Sequence, residues 1–122
     1  MDNKDTIIVP CRPEGVKFFY NGFWENLSIS KNKLEVLKYI ALYQSVTEKK
    51  ITVVGKIIKF EKYSISEFKP PKYRVFYKIL DKKLNVYLDD TKNRKLIIQS
   101  PKYVNFAKLL SCNTFSELFA DN

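Results

Sequence analysis

The longest apolar pattern in the chain lies at residues 51–63, ITVVGKIIKFEKY, which is rich in β-branched and aromatic residues and free of proline. Ile51, Val53 and Ile57 occupy one alternation, and Val54, Ile58 and Phe60 the other. A strand that is apolar on both sides is central in a sheet or curled into a small barrel. Gly55 interrupts the run, and a glycine inside a strand marks a bulge, a bend or a close backbone approach. From Lys56 onward charges enter (Lys56, Lys59, Glu61, Lys62). The pattern therefore predicts a strand that starts in the core and emerges onto a basic, aromatic surface.

Other elements follow from the same reading. Residues 1–5 are polar and expected to fray. Residues 6–11 form a short strand, which Pro10 and Pro13 confine to an edge or a loop. Tyr20-Asn21-Gly22-Phe23 sets Asn-Gly between two aromatic-rich runs, 16–20 and 23–29, and predicts a β-hairpin with a type I′ turn. Asn32 with Glu35 three residues later reads as a capping box for a helix over 32–38. Residues 39–43, YIALY, form a strand, and 44–50 are a polar turn into the central strand. A proline-containing loop over 64–72 leads to a half-buried strand at 73–79, where Tyr73, Val75, Tyr77 and Ile79 alternate with Arg74, Phe76 and Lys78. Short strands are expected at 84–88 and 95–99. Ser100-Pro101 signals a helix running to residue 110, and Thr114 with Glu117 caps a last helix over 114–119. Successive strands around a two-faced central one predict a mainly β fold with flanking α: a small, mostly antiparallel barrel with short helices at its ends.

Charge sharpens this picture. The 122 residues carry a net +9, and nearly all of the excess sits at 49–83, which hold eleven basic and three acidic side chains. Such asymmetry points to a polyanionic partner, nucleic acid being the commonest; the alternative is a lysine-rich chain whose lysines are simply solvated. No histidine is present, which removes His-based triads and the usual zinc sites and leaves only lysine and carboxylate chemistry for an enzyme. No motif asks for a cofactor or a metal. No run approaches the ~18 apolar residues of a membrane span, and the first residues lack a secretory pattern, so the expected setting is the cytoplasm, with no membrane partner. Cys11 and Cys112 lack metal-ligand spacing and read as buried reduced thiols.

The middle of the chain resembles the core of the PUA-like barrels, with EVE, YTH and ASCH domains as relatives. The resemblance is carried by a short helix, YIALYQS, a turn, ITVVGKIIKFEKY and KYRVFYKI. In EVE-type domains a strand ending in an aromatic and small polar residues (here Tyr43, Gln44 and Ser45) precedes a long strand. That strand enters with a Gly-containing apolar run and leaves through an aromatic (here Val54-Gly55-Lys56-Ile57 and Tyr63). VPCRPEG, the strand around Trp24 and KYVNFAKLLSCNTFSELF also resemble an uncharacterised group of small microbial proteins thought to share this barrel, although that group often carries His where Val53 stands. The Gly-x-Lys-x-x-Glu run of ASCH domains is missing, so ASCH-type amidohydrolase and RNA-processing activities have no anchor here. The resemblance covers residues 7–119 as a single PUA-like domain and implies nucleic-acid binding, often of a modified base held in an aromatic pocket.

The expected phosphate-binding residues are Lys49, Lys50, Lys56, Lys59, Lys62, Lys72 and Arg74, for DNA or RNA alike. The expected base pocket comprises Arg12, Trp24, Tyr43, Gln44, Ser45 and Tyr63: aromatics to stack on a base, an amide and a hydroxyl to read its edge, and a proline-flanked arginine as a fork for phosphate. Against this, Trp24 and Phe60 also read as core, and Arg12 as a surface residue paired with Glu14. The leading expectation is a non-enzymatic nucleic-acid-binding domain. The alternatives are a protein-interaction module with a basic face, or a lysine/carboxylate hydrolase or nuclease built on Glu48-Lys49-Lys50 or Asp89-Asp90, the latter pair reading more simply as a turn.

Overall fold

The computed structural model describes residues 3–45, 48–64 and 67–120. The predicted turn at 44–50 and loop at 64–72 each contain a pair (46–47 and 65–66) outside these. Seven strands occur among the described residues: β1 (Thr6–Cys11), β2 (Phe23–Leu27), β3 (Tyr39–Gln44), β4 (Lys50–Tyr63), β5 (Lys72–Ile79), β6 (Val86–Tyr87) and β7 (Lys102–Val104). They form one curled sheet in the order β2-β5-β4-β3-β1-β7, with β6 on β4. Four short α-helices accompany it: α1 (Val16–Phe19), α2 (Lys31–Val36), α3 (Phe106–Ser111) and α4 (Phe115–Leu118). The fold is mainly β and mostly antiparallel, as the pattern predicts, with β1 and β3 running parallel.

β4 is the axis of the sheet. Its first part pairs with β3 as far as Lys56, and its second with β5 as far as Tyr63. The register shifts twice, at Thr52 and at Ile58. Each bulge adds one residue and exchanges the faces of the alternation. Ile51 and Val54 consequently share one core, while Val53, Ile57 and Phe60 face the other, and Ile58 is left 68% exposed. Gly55 is the close approach its position suggested: a Cβ there would lie 2.7 Å from the Tyr77 ring. The Tyr77 hydroxyl donates to the Phe19 carbonyl at 2.6 Å, so that ring is held in place.

Two cores lie against the two faces of the sheet. On one, Ile8, Ala41, Tyr43, Ile51 and Val54 are covered by Leu96, Ile98, Leu109, Phe115 and Leu118. On the other, Ile7, Val9, Ile40, Leu42, Val53 and Val75 meet Phe19, Leu27, Ile29 and Leu37. β1 is interior over Thr6–Ile8, flanked by β3 and β7. Pro10 lies beyond the last β7 pair, Ile8 with Lys102, where its missing N–H removes no ladder bond. Asp5 is also anchored, its carbonyl accepting from the Lys38 and Tyr39 N–H groups.

Several local expectations change. Residues 16–20 form no strand. Pro13–Gly15 make a 3-10 turn leading into α1, and Gly22, at φ 90°, ends that helical stretch rather than a hairpin. β2 pairs with β5 instead. The cap of α2 is Ser30, accepting from the Lys33 N–H, and not Asn32. The helix predicted from Ser100 starts only at Phe106, capped by Asn105, because residues 102–104 are taken up as β7. At 95–99, Arg94–Leu96 form a 3-10 turn and no strand. The capping box at Thr114 and Glu117 holds, with Thr114 accepting from the Glu117 N–H and donating to its carboxylate, each at 3.2 Å.

Candidate nucleic-acid interface

The C-terminal segment that covers one face of the sheet stops short of its far end. Cross-strand partners share a face, and the pairs beyond Val54 are Lys56 with Lys78, Lys59 with Phe76, Glu61 with Arg74 and Tyr63 with Lys72. The side chains confirm the common face. Lys59 Nζ sits 4.7 Å from the centre of the Phe76 ring, Arg74 binds Glu61 and also Glu25 of β2 at 2.7 Å, and Phe23 of β2 lies 6.0 Å from Phe76. Lys56, Lys59 and Lys78 are exposed and have no carboxylate partner among the described residues. Lys56 and Lys78 stand directly opposite each other, an arrangement of like charges that costs stability.

The seven expected cations do not form one patch. Lys49 and Lys50 lie at the start of β4, roughly 30 Å of strand from Lys59, and Lys50 pairs with Glu48 at 3.2 Å. Lys62 stands opposite Tyr73, on the reverse side of the sheet. Lys72 donates to the Ser28 hydroxyl at 2.6 Å. Arg74 is neutralised twice over; the Glu25 hydrogen bond, followed by the charges of Glu25 and Glu61, raises its pKa further. Lys56 and Lys59 remain open, and Lys78, which the sequence reading left out, joins them. The signal for Lys78 was the alternation of β5, where Arg74, Phe76 and Lys78 share one side.

The expected base pocket also separates. Arg12, Tyr43 and Ser45 line one cavity of about 390 Å³ with Pro10, Cys11, Ile98 and Gln99. It sits where the parallel strands β1 and β3 end, and Ser45 donates to the Cys11 carbonyl at 3.1 Å across that rim. Tyr43 is buried, packed on Phe115 at 5.3 Å, and desolvation raises its pKa. Trp24 is elsewhere, against Phe19 at 5.8 Å, because β2 pairs with β5 on the opposite side of the sheet. Gln44 does not line the cavity, and its amide donates to Thr52 across the first bulge at 3.0 Å. Tyr63 accepts from the Asn26 N–H at 2.9 Å and lies under Arg74, so it clasps the end of β4 to β2. Gln99 is the polar residue of the rim that the sequence did not single out, since its neighbours read as a strand.

The acidic pairs have local duties. Glu48 holds Lys50, and Asp89 accepts from the Ser116 N–H at 3.0 Å; hydrogen bonding to the Ser116 side chain, then to its backbone, lowers the Asp89 pKa. Both cysteines are free and buried, and desolvation raises each thiol's pKa. No helix among the described residues is long and apolar enough to cross a membrane.

No protein-family model matches the sequence, and neither does any curated protein. Solved structures do match by shape. Over 85% of this chain and 90% of the other, the ASCH protein of Zymomonas mobilis superposes with a TM-score of 0.52 at 13% identity. Two point variants of that protein give 0.54 at 12% and 0.53 at 11% identity. Identities this low speak for shape alone: the chain has an ASCH-like fold, a half-barrel sheet flanked by short helices.

Proposed function

We propose that this chain is a single-domain nucleic-acid-binding protein that takes phosphate groups on Lys56, Lys59 and Lys78 of the β4–β5 face. The observation that carries the proposal is the Lys56–Lys78 pair, without a carboxylate partner among the described residues and with Lys59 beside it, on a face where Arg74 is already neutralised and Lys72 is tied to Ser28. A bound polyanion relieves that repulsion and releases counterions. The ASCH-like fold supports the same reading through the PUA-like resemblance. At the opposite rim, the cavity of Arg12, Tyr43, Ser45 and Gln99 suits a flipped or modified base, with the exposed Arg12 holding its phosphate. Two free buried thiols suit a reducing compartment such as the cytoplasm.

The test is binding of single- and double-stranded RNA and DNA over a salt series. Affinity should fall steeply with salt, with a slope of ~0.9 per duplex phosphate contact. Changing Lys56, Lys59 and Lys78 together to glutamate should remove most binding from a folded protein, and Lys62→Glu on the reverse side should not. Arg12→Ala should weaken binding of a base-flipped ligand about 10-fold. Binding that stays flat with salt would point instead to a neutral ligand or a protein partner.

A further inference from the structure

Beside the cationic face, β2 and the turn before it form a crevice of about 470 Å³ lined by Phe18, Asn21, Phe23, Trp24 and Glu25. Its aromatics are open to solvent: Phe18 is 54% exposed, and Phe23 and Trp24 are only partly buried. Trp24 rests on the buried Phe19 at 5.8 Å, which fixes one wall. Through Phe23 the crevice reaches the lysine-bearing face around the edge of β2, since Phe23, Phe76 and Lys59 are consecutive partners across β2, β5 and β4, a span of about 10 Å, while Trp24, opposite Val75, belongs to the reverse face. Its polar equipment is specific. Glu25 gives one carboxylate oxygen, Oε2, to Arg74 at 2.7 Å, which orients the group. Oε1 has no donor among the described residues, nor does the Asn21 side chain have a partner there.

We propose that this crevice takes an unstacked base from a single strand whose phosphates lie on Lys56, Lys59 and Lys78, and that Glu25 prefers a base carrying an exocyclic amine. The inference rests on the nucleic-acid reading above and deepens it. Open aromatics at a sheet edge beside lysines suit a single strand, because only unpaired bases expose both faces for stacking. The charge of the face fits a polyanion, and a row of aromatics offers an acidic peptide nothing to stack. A carboxylate oxygen accepts from cytosine N4 and repels the carbonyl that uracil presents at the same position.

Trp24 is the sole tryptophan, so its fluorescence reports on this crevice. The probes are an oligocytidine, an oligouridine of equal length, a duplex and a polyglutamate peptide. Oligocytidine is expected to quench Trp24 and to bind about 10-fold more tightly than oligouridine, with the duplex leaving the fluorescence unchanged. Phe23→Leu, which keeps the apolar bulk of a crevice wall and removes its stacking face, should weaken oligocytidine by roughly 10-fold. Glu25→Gln, whose amide can serve either base, should level the two oligomers. The inference is overturned if Phe23→Leu leaves affinity unchanged while the lysine-to-glutamate variant abolishes it, an outcome that keeps nucleic-acid binding and removes the crevice. Equal quenching by duplex, or tighter binding of polyglutamate, also overturns it. Absence of any nucleic-acid binding removes both readings.

Discussion

The two halves of β4 share one strand, one sheet and nearly the same richness in β-branched residues, yet they live in different solvents. From Ile51 to Gly55 each residue but Thr52 is buried, and Ile51 and Val54 lie under the C-terminal helices. From Lys56 to Tyr63 that cover is gone, and only Ile57, Phe60 and Tyr63 are even partly shielded. Strand propensity is therefore not what distinguishes core from open surface here. The distinction is made by where the segment after β5 comes to rest, and by two bulges that let a single strand serve both roles. The covered half packs into the core, and the open half leaves its charges exposed.

The sharpest way to break this contrast is at the covered end. Ile51→Ala, at a position of 0% exposure, should cost ~2–5 kcal/mol by lost burial and a residual cavity, measured by urea denaturation. Gly55→Ala should follow at ~1–3 kcal/mol, since the new Cβ meets a Tyr77 ring that is pinned by its hydroxyl and by stacking on Phe19 at 4.7 Å. Tyr77→Phe, which removes that pin, should cost about 1 kcal/mol and make Gly55→Ala less harmful in the double variant.

A graded effect comes from alkali. Burial raises the pKa of the Cys11 and Cys112 thiols above the ordinary 9.0 and of the Tyr43 and Tyr77 phenols above 10.0. The unfolded chain then loses these protons before the folded one does. Their contribution is intact below about pH 9 and is lost as pH rises through the folded values; the urea midpoint should decline from there upward. The smallest effect belongs to the open half. Ile58→Ala, at 68% exposure, should change stability by about 0.5 kcal/mol or less, and a loss comparable to that of Ile51→Ala would mean that this face is covered after all.

The same contrast explains what could be read in advance. β1, β3, β4 and β5 were legible because their periodicity is strong and their lengths suit strands. The hairpin at 16–29 was misread because Asn-Gly announces only a positive φ, and Gly22 meets that need at the end of α1. Residues 100–110 were misread because a Ser-Pro start competes with a strand partner, β1, that lies almost a hundred positions earlier. For the candidate site, charge density pointed to residues 49–83, from which the open group of Lys56, Lys59 and Lys78 is drawn. It could not say that Arg74 would be claimed by Glu25 from β2, or that Lys62 would turn to the reverse side after the bulge at Ile58. The base pocket brought together residues by their chemistry. Sheet order, which no local pattern carries, kept Arg12, Tyr43 and Ser45 together and sent Trp24 to the other side.

The placement of β1 has a consequence for how the molecule comes into being. Its partners are β3 on one side and β7 on the other, the latter drawn from Lys102–Val104. A nascent chain can form β3, β4 and β5 early, but the apolar strand Thr6–Cys11 keeps an open flank until residue 104 has left the ribosome. Contacts of such sequence separation put acquisition of the native state toward the slow, millisecond-to-second end for small domains. Until then the exposed flank is where a chaperone would hold the chain, or where two incomplete chains would meet.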